Sequence, residues 1–168
     1  ALAGADKWSD DASKPDRAVE DAKETIRKRT GRRPNVLALG ANVAAKLRSH
    51  PRVLDKYKHT TAEIISDEML ARFFNVERVL VGDAIYDDDA GNQVDVWGND
   101  AILAFAPKQG QEGLRVPAFG YTYRLSGHPF VEPAYYERGI RSWQNDVFDE
   151  WSPELVGPDA GFLFQAAV

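Results

Sequence analysis

The chain has 168 residues, 43% hydrophobic, 28% charged and 11% aromatic, with a formal net charge of −5. Those proportions exclude a disordered tail and a collagen-like repeat, and the longest apolar run, residues 101–106, is too short for a membrane-spanning helix. There are no cysteines, which excludes disulfides, thiolate metal sites and cysteine nucleophiles, and the acidic balance gives no global attraction to nucleic acid.

The first dozen residues are small, acidic and unpatterned and read as a loop or fraying terminus. The chain opens Ala1-Leu2-Ala3-Gly4 and its only methionine is Met69, so the sequence is expected to be part of a longer one. A helix then begins near Pro15, with Ser13 as its expected cap, because a proline in the first turn sacrifices no hydrogen bond. Ala18, Val19, Ala22 and Ile26 form its apolar stripe, acids lie early and Arg27, Lys28 and Arg29 late, and Gly31 stops it. After Pro34 the run 36–39, closed by Gly40, reads as a buried strand. Helical spacing returns over 41–49, then over a short turn at 51–57, and again after Ser66 or Asp67.

Beyond Asn75 the period becomes extended. Strands are expected at 79–81 and 85–86, a polar turn at 87–92, a return strand at 94–97, and a buried strand at 101–106. Residues 108–113 read as a loop, 119–125 alternate as a half-exposed strand, 135–151 carry more strand, and 161–166 form a last one. The class is α+β, with helices early and antiparallel strands late.

Little catalytic chemistry is visible. There is no nucleophile elbow, phosphate-binding glycine loop or metalloprotease helix. Of His50, His59 and His128, two precede proline and read as turn residues, and no cofactor or metal is expected. Asp87, Asp88 and Asp89, followed by Ala90-Gly91-Asn92, read as a solvated hairpin tip; the alternative is a metal-dependent hydrolase site using Asp87, Asp89 and Asp95. Arg27, Lys28, Arg29, Arg32 and Arg33 place five cations in seven residues. They read as a helix end complementing the dipole, the alternative being a nucleic-acid-binding patch. Phe119, Tyr121, Tyr123, Tyr135, Tyr136, Trp143, Phe148 and Trp151 are expected to pack mainly in a core, with a subunit interface as the other use of such side chains.

The order of segments carries a resemblance. Lys7-Trp8-Ser9-Asp10 precedes the long helix; Gly31-Arg32-Arg33-Pro34-Asn35 leads into Val36-Leu37-Ala38-Leu39-Gly40. Phe73-Phe74-Asn75-Val76-Glu77-Arg78-Val79-Leu80-Val81-Gly82, Trp97-Gly98, Pro117-Ala118-Phe119-Gly120-Tyr121-Thr122 and Pro158-Asp159-Ala160-Gly161-Phe162-Leu163-Phe164 follow in turn. This ordered set resembles the major capsid proteins of tailed bacteriophages, with the Hong Kong ninety-seven type of shell fold.

The resemblance implies a peripheral domain with a spine helix (part of it in 1–34), an axial domain of mixed sheet and flanking helices (35–116), peripheral strands (117–156) and a C-terminal return strand (157–168). It implies that an N-terminal arm and extended loop precede this sequence in the whole protein. It further implies a non-enzymatic, cofactor-free subunit of a phage or prophage shell enclosing viral DNA, assembled in the bacterial host cytoplasm into pentamers and hexamers of itself. Scaffolding or decoration proteins and non-specifically packaged DNA are the other partners, and no membrane is involved. An encapsulin-like nanocompartment shell is the nearest alternative. Subunit contacts are expected at Arg27, Lys28, Arg29, Arg32 and Arg33, at Asp87, Asp88 and Asp89, and at Lys108 in the 108–113 loop.

Overall fold

A four-stranded mixed sheet organises most of the chain. The computed structural model describes residues 1–58, 64–108, 110 and 116–168. They divide into two compact units, one of Ala1–Phe119 with Gly157–Val168 and the other of Gly120–Val156. In chain order the first unit contains α1 (Pro15–Thr30), β1 (Val36–Gly40), α2 (Ala41–Ser49), α3 (Pro51–Tyr57), α4 (Asp67–Phe74), β2 (Arg78–Gly82), β3 (Ile85–Asp87), β4 (Gln93–Asp95) and β5 (Ala101–Ala104). The second unit contains β6 (Gly120–Arg124), β7 (Phe130–Val131), β8 (Tyr135–Glu137), β9 (Ser142–Gln144), β10 (Val147–Phe148) and β11 (Trp151–Leu155), and β12 (Gly161–Phe164) returns to the first. The mixed α+β class is as the sequence leads one to expect.

α1 forms where its pattern places it. Pro15 occupies the first helical position, and Gly31, at φ 71°, donates its N–H to Arg27 O in the left-handed conformation that only glycine adopts cheaply. Ser13 does not cap it. Lys14 holds that position without a side-chain bond, and the buried Ser13 Oγ lies 3.1 Å from His50 Nε2. His50 is itself a cap: its Nδ1 accepts the Arg52 N–H at the start of α3, which leaves Nε2–H facing Ser13 Oγ and Asp10 O.

The sheet runs β12-β5-β1-β2, with β1 parallel to β2 and antiparallel to β5, and β12 antiparallel to β5. Because side chains alternate along a strand, Leu37, Leu39, Val79, Ala101, Leu103 and Phe164 share one face, and the helices cover it with Val19, Ile26, Val43, Leu47, Leu70 and Phe74. The other face carries Leu80, Ala38, Ile102 and Leu163, paired rung by rung across all four strands. Leu80 and Leu163 stay about half exposed there.

The first residues are not a frayed terminus. Trp8 is fully buried between Phe74 and Phe164, with ring centroids 6.3 and 4.9 Å away. Backbone bonds from Leu2 to Gln165 O and from Trp8 to Ala167 O zip the two ends of the chain together. Burial of a large indole outweighs the polar composition of its neighbours. β5 also ends two residues earlier than its apolar run, because Asn35 exchanges two 2.9 Å side-chain bonds with the backbone of Ala106. β12 likewise stops at Phe164.

One polar side chain sits inside the apolar stripe of α1. Lys23 is 4% exposed, and its ammonium donates to Phe74 O and to Asn75 O, which are orphan carbonyls at the C-terminus of α4, and to Glu20 Oε2 at 3.0 Å. Lys23→Met keeps the stem and leaves those carbonyls without their cation, so it should lower unfolding free energy by about 2 kcal/mol in urea titration. Gly40→Ala should destabilise by a similar amount, roughly 1–3 kcal/mol in the same titration, since its Cβ would stand 2.3 Å from the backbone oxygen of Gly98.

Candidate contact surfaces

The parallel pairing of β1 and β2 makes the two ends of the sheet chemically different. At the end where both strands begin, Val36 is level with Arg78 and with Ala104, the last residue of β5. Arg32 and Arg33 lead into β1, Arg78 opens β2 and Lys108 follows β5, so cations far apart in sequence gather at one end. At the opposite end Gly40 is level with Gly82, and Asp83, the β3–β4 hairpin and Asp100 lie there.

The basic group is only partly neutralised. Arg27 donates to both oxygens of Glu24, at 2.8 and 2.6 Å, and this bond holds the Glu24 carboxyl below its ordinary range. Arg29 is 3.7 Å from Asp159. Lys108 is 3.3 Å from Glu77, whose carboxyl is lowered first by a hydrogen bond from Asn35 and then by Lys108. Among the described residues Lys28, Arg32 and Arg33 are exposed and make no ion pair. The expected loop contacts around Lys108 otherwise fall on residue 109 and on 111–115, which lie outside the described residues, as does His59.

The acidic group is a hairpin tip, as its composition suggests. β3 pairs with β4 from Ile85↔Asp95 to Asp87↔Gln93. Asp88 turns the chain by accepting the N–H groups of Ala90 and Asn92 at 2.9 and 2.7 Å and the Asn92 amide at 3.1 Å. These bonds, led by those from Asn92, hold its carboxyl below the usual carboxylate range. Asp88 is therefore committed to the turn, while Asp87 and Asp89 point charge into solvent. Among the described residues no three His, Cys, Asp or Glu side chains converge to hold a metal ion, and Asp87, Asp89 and Asp95 form no such group. No ion pair among those residues joins the acidic tip to the basic end.

Core packing fails for most of the late aromatics. Tyr123, Tyr135, Tyr136, Phe148 and Trp151 are each 40% exposed or more, and Trp143 reaches 70%. Trp8, in contrast, lies in the core although its neighbours are charged. Two residues with structural roles are not evident from sequence patterning: Asn35, whose only signal is an amide immediately before an apolar run, and Lys23, a cation within an apolar stripe. Among the described residues no helix is long and apolar enough to cross a membrane.

Residues 1–119 match the family model of phage major capsid protein E. The major capsid protein of Burkholderia phage BcepMu is 36% identical over 166 residues, spanning 96% of this chain and 53% of that protein. That of Pseudomonas phage JBD67 is 29% identical over 181 residues, spanning 99% and 55%. The crystal structure of a phage-related protein from Bordetella bronchiseptica RB50 has a TM-score of 0.91 at 36% identity, covering 99% of this chain and 55% of that one. The chain thus spans about half the length of the curated relatives it matches.

The acidic tip gives a pH test. Since the Asp88 carboxyl is depressed in the fold, its contribution is fully present above the ordinary carboxylate pKa of about 4 and is lost as pH falls through its lower folded value. Protection factors of the Ala90 and Asn92 amides should fall over that acid range. Asp88→Ala should abolish their protection at neutral pH and remove its acid dependence.

Proposed function

This chain belongs to the phage major capsid protein E family, and from that footing we propose that its full-length form is a structural, non-enzymatic subunit of a phage or prophage capsid, assembling with copies of itself into the shell around viral DNA. The observation that carries the mode of assembly is the polarity of the sheet, with Arg32, Arg33 and Lys108 at one end and Asp87 and Asp89 at the other. A surface of one sign at one end and its complement at the opposite end favours head-to-tail association. Such heterologous contacts close into rings when the rotation between copies permits, which is the geometry of pentamers and hexamers.

Exposed pairs of this kind are each worth about 0.5 kcal/mol and are screened by salt, so they set register and partner direction more than affinity. Within a shell of the Hong Kong ninety-seven type, residues 35–116 take the axial role around the ring and 117–156 the peripheral role, with α1 extending the spine. Virion location, assembly in the host cytoplasm, and contacts with scaffolding or decoration proteins and with packaged DNA belong to the same proposal. The phage source of both relatives favours a viral shell over a nanocompartment shell, and the dispersed aspartates disfavour a metal-dependent hydrolase.

Electron microscopy of the full-length protein should show closed shells or flat capsomer sheets. Arg32→Glu with Arg33→Glu, or Asp87→Lys with Asp89→Lys, should each reduce assembly at low salt, and mixing the two variants should restore it. A full-length protein that forms neither shells nor sheets would sink the capsid reading; failure of the mixture to recover would sink the head-to-tail contact alone.

A further inference from the structure

The β3–β4 hairpin leaves the sheet at Gly82 and comes back to it at Trp97. Residues 83–87 and 89–96, which lie between, are all exposed, so the hairpin's packing on the rest of its unit is concentrated at those two points. Both are built for close approach. A Cβ on Gly82 would stand 2.3 Å from Cδ1 and 2.5 Å from Nε1 of Trp97, so the five-membered edge of the indole rests on bare backbone at the end of β2. Gly40 is level with Gly82 on the neighbouring strand, and a Cβ there would stand 2.3 Å from Gly98 O and 3.4 Å from Trp97 Cβ. The two glycines form a notch across the ends of β1 and β2, and Trp97-Gly98 fills it.

The turn that follows the ring is tied down by residues distant in sequence. Gly98 bends the chain at φ 53°, and the Gly40 N–H donates to Asp100 O at 3.2 Å. The Asn42 amide donates to Asn99 Oδ1 at 2.7 Å, the Ala166 N–H to Asp100 Oδ1 at 2.7 Å and the Ala167 N–H to Asn99 O at 2.7 Å. Residues 98–100 therefore belong to the frame of the sheet. On the other side of the ring, the Val96 N–H donates to Ala84 O at 2.9 Å and opens the hairpin. Trp97 is the single residue between the fixed turn and the exposed ribbon.

The direction in which that ribbon leaves the sheet matters because its two faces differ. Asp87 and Asp95 share one face, and the paired Tyr86 and Val94 share the other. A rotation about the base would exchange an acidic face for an apolar one. Attraction between exposed charges is weak, and a contact built on it cannot also supply the ordering of a swinging hairpin. The acids must be aimed beforehand.

We infer that Trp97, seated in the Gly40–Gly82 notch, is the positioning residue of the head-to-tail contact. It sets the angle at which the β3–β4 hairpin leaves the sheet, so that Asp87 and Asp89 are presented before a second copy of the chain arrives. The inference rests on the head-to-tail reading and adds to it an uncharged residue that acts through the hairpin. Its chemistry is shape: a flat ring against two strand ends that carry no side chain.

The test uses the full-length protein with Trp97→Ala, Gly82→Ala and Trp97→Phe, followed by sedimentation velocity at low salt and by amide hydrogen exchange. Trp97→Ala and Gly82→Ala should each weaken self-association about tenfold, while Trp97→Phe, which keeps a ring in the notch, stays within about threefold of wild type. In both weakened variants exchange should quicken in β3 and β4 while β1 and β5 keep their protection. Asp87→Lys with Asp89→Lys should weaken association of the wild type and have no further effect when added to Trp97→Ala, a coupling that general destabilisation does not produce. Unaltered association in Trp97→Ala, or an equal loss in Trp97→Phe, overturns the inference. So does loss of protection in β1 and β5 in both weakened variants, since the ring would then hold the sheet and not aim the hairpin. Charge reversal without effect on the wild type refutes the head-to-tail contact itself; charge reversal that weakens Trp97→Ala as much as wild type refutes the positioning role alone.

Discussion

β1 and β2 lie side by side and run in the same direction, and no tight turn can join parallel strands. The chain must therefore travel back along the sheet between Gly40 and Arg78, and that return carries α2, α3 and α4. The crossover supplies most of the apolar layer on one face of the sheet, which Lys23 then locks to α1 through the end of α4. On the other face the row from Leu80 to Leu163 meets solvent at both margins. The same parallel pairing brings Arg33 and Arg78 to one end of the sheet and Asp83 with the β3–β4 hairpin to the other. Fold and electrostatic polarity follow from one pairing.

At the sheet ends the groups are exposed charges, whose attraction is weak and fades over about 10 Å at moderate salt. Such contacts orient a neighbour and allow it to be exchanged. Residues 120–156 present a surface of another kind, with seven aromatic side chains that stand 40–70% exposed.

Much of the architecture is legible in the residues themselves. α1, β1 and the β3–β4 turn lie where periodicity and turn chemistry place them, because their determinants are local: Pro15, Gly31, an unbroken apolar run, and Asp88 followed by Gly91. The misreadings share a cause. Ser13 was available as a cap but is claimed by His50, 37 positions away; Trp8 looks like part of a polar tail but fills a gap between Phe74 and Phe164; β5 is cut short by Asn35. Each outcome is decided by a partner distant in sequence. The contact residues show the same division. The charged clusters are visible as composition, while Asp88's commitment to its turn and Lys108's pairing with Glu77 are not.

Composition alone excluded disulfides and a membrane-spanning helix among these residues, and the order of segments carried a resemblance to phage shell proteins. The first two follow from residue types, which a linear sequence carries in full. The aromatic-rich stretch after Phe119 has the composition of a core and reads as one, yet most of its aromatic side chains stand 40–70% exposed. Burial depends on which surfaces meet, a property of the folded chain and not of its composition: the ladders of 120–156 pair the two legs of a ribbon, and none of those residues is buried.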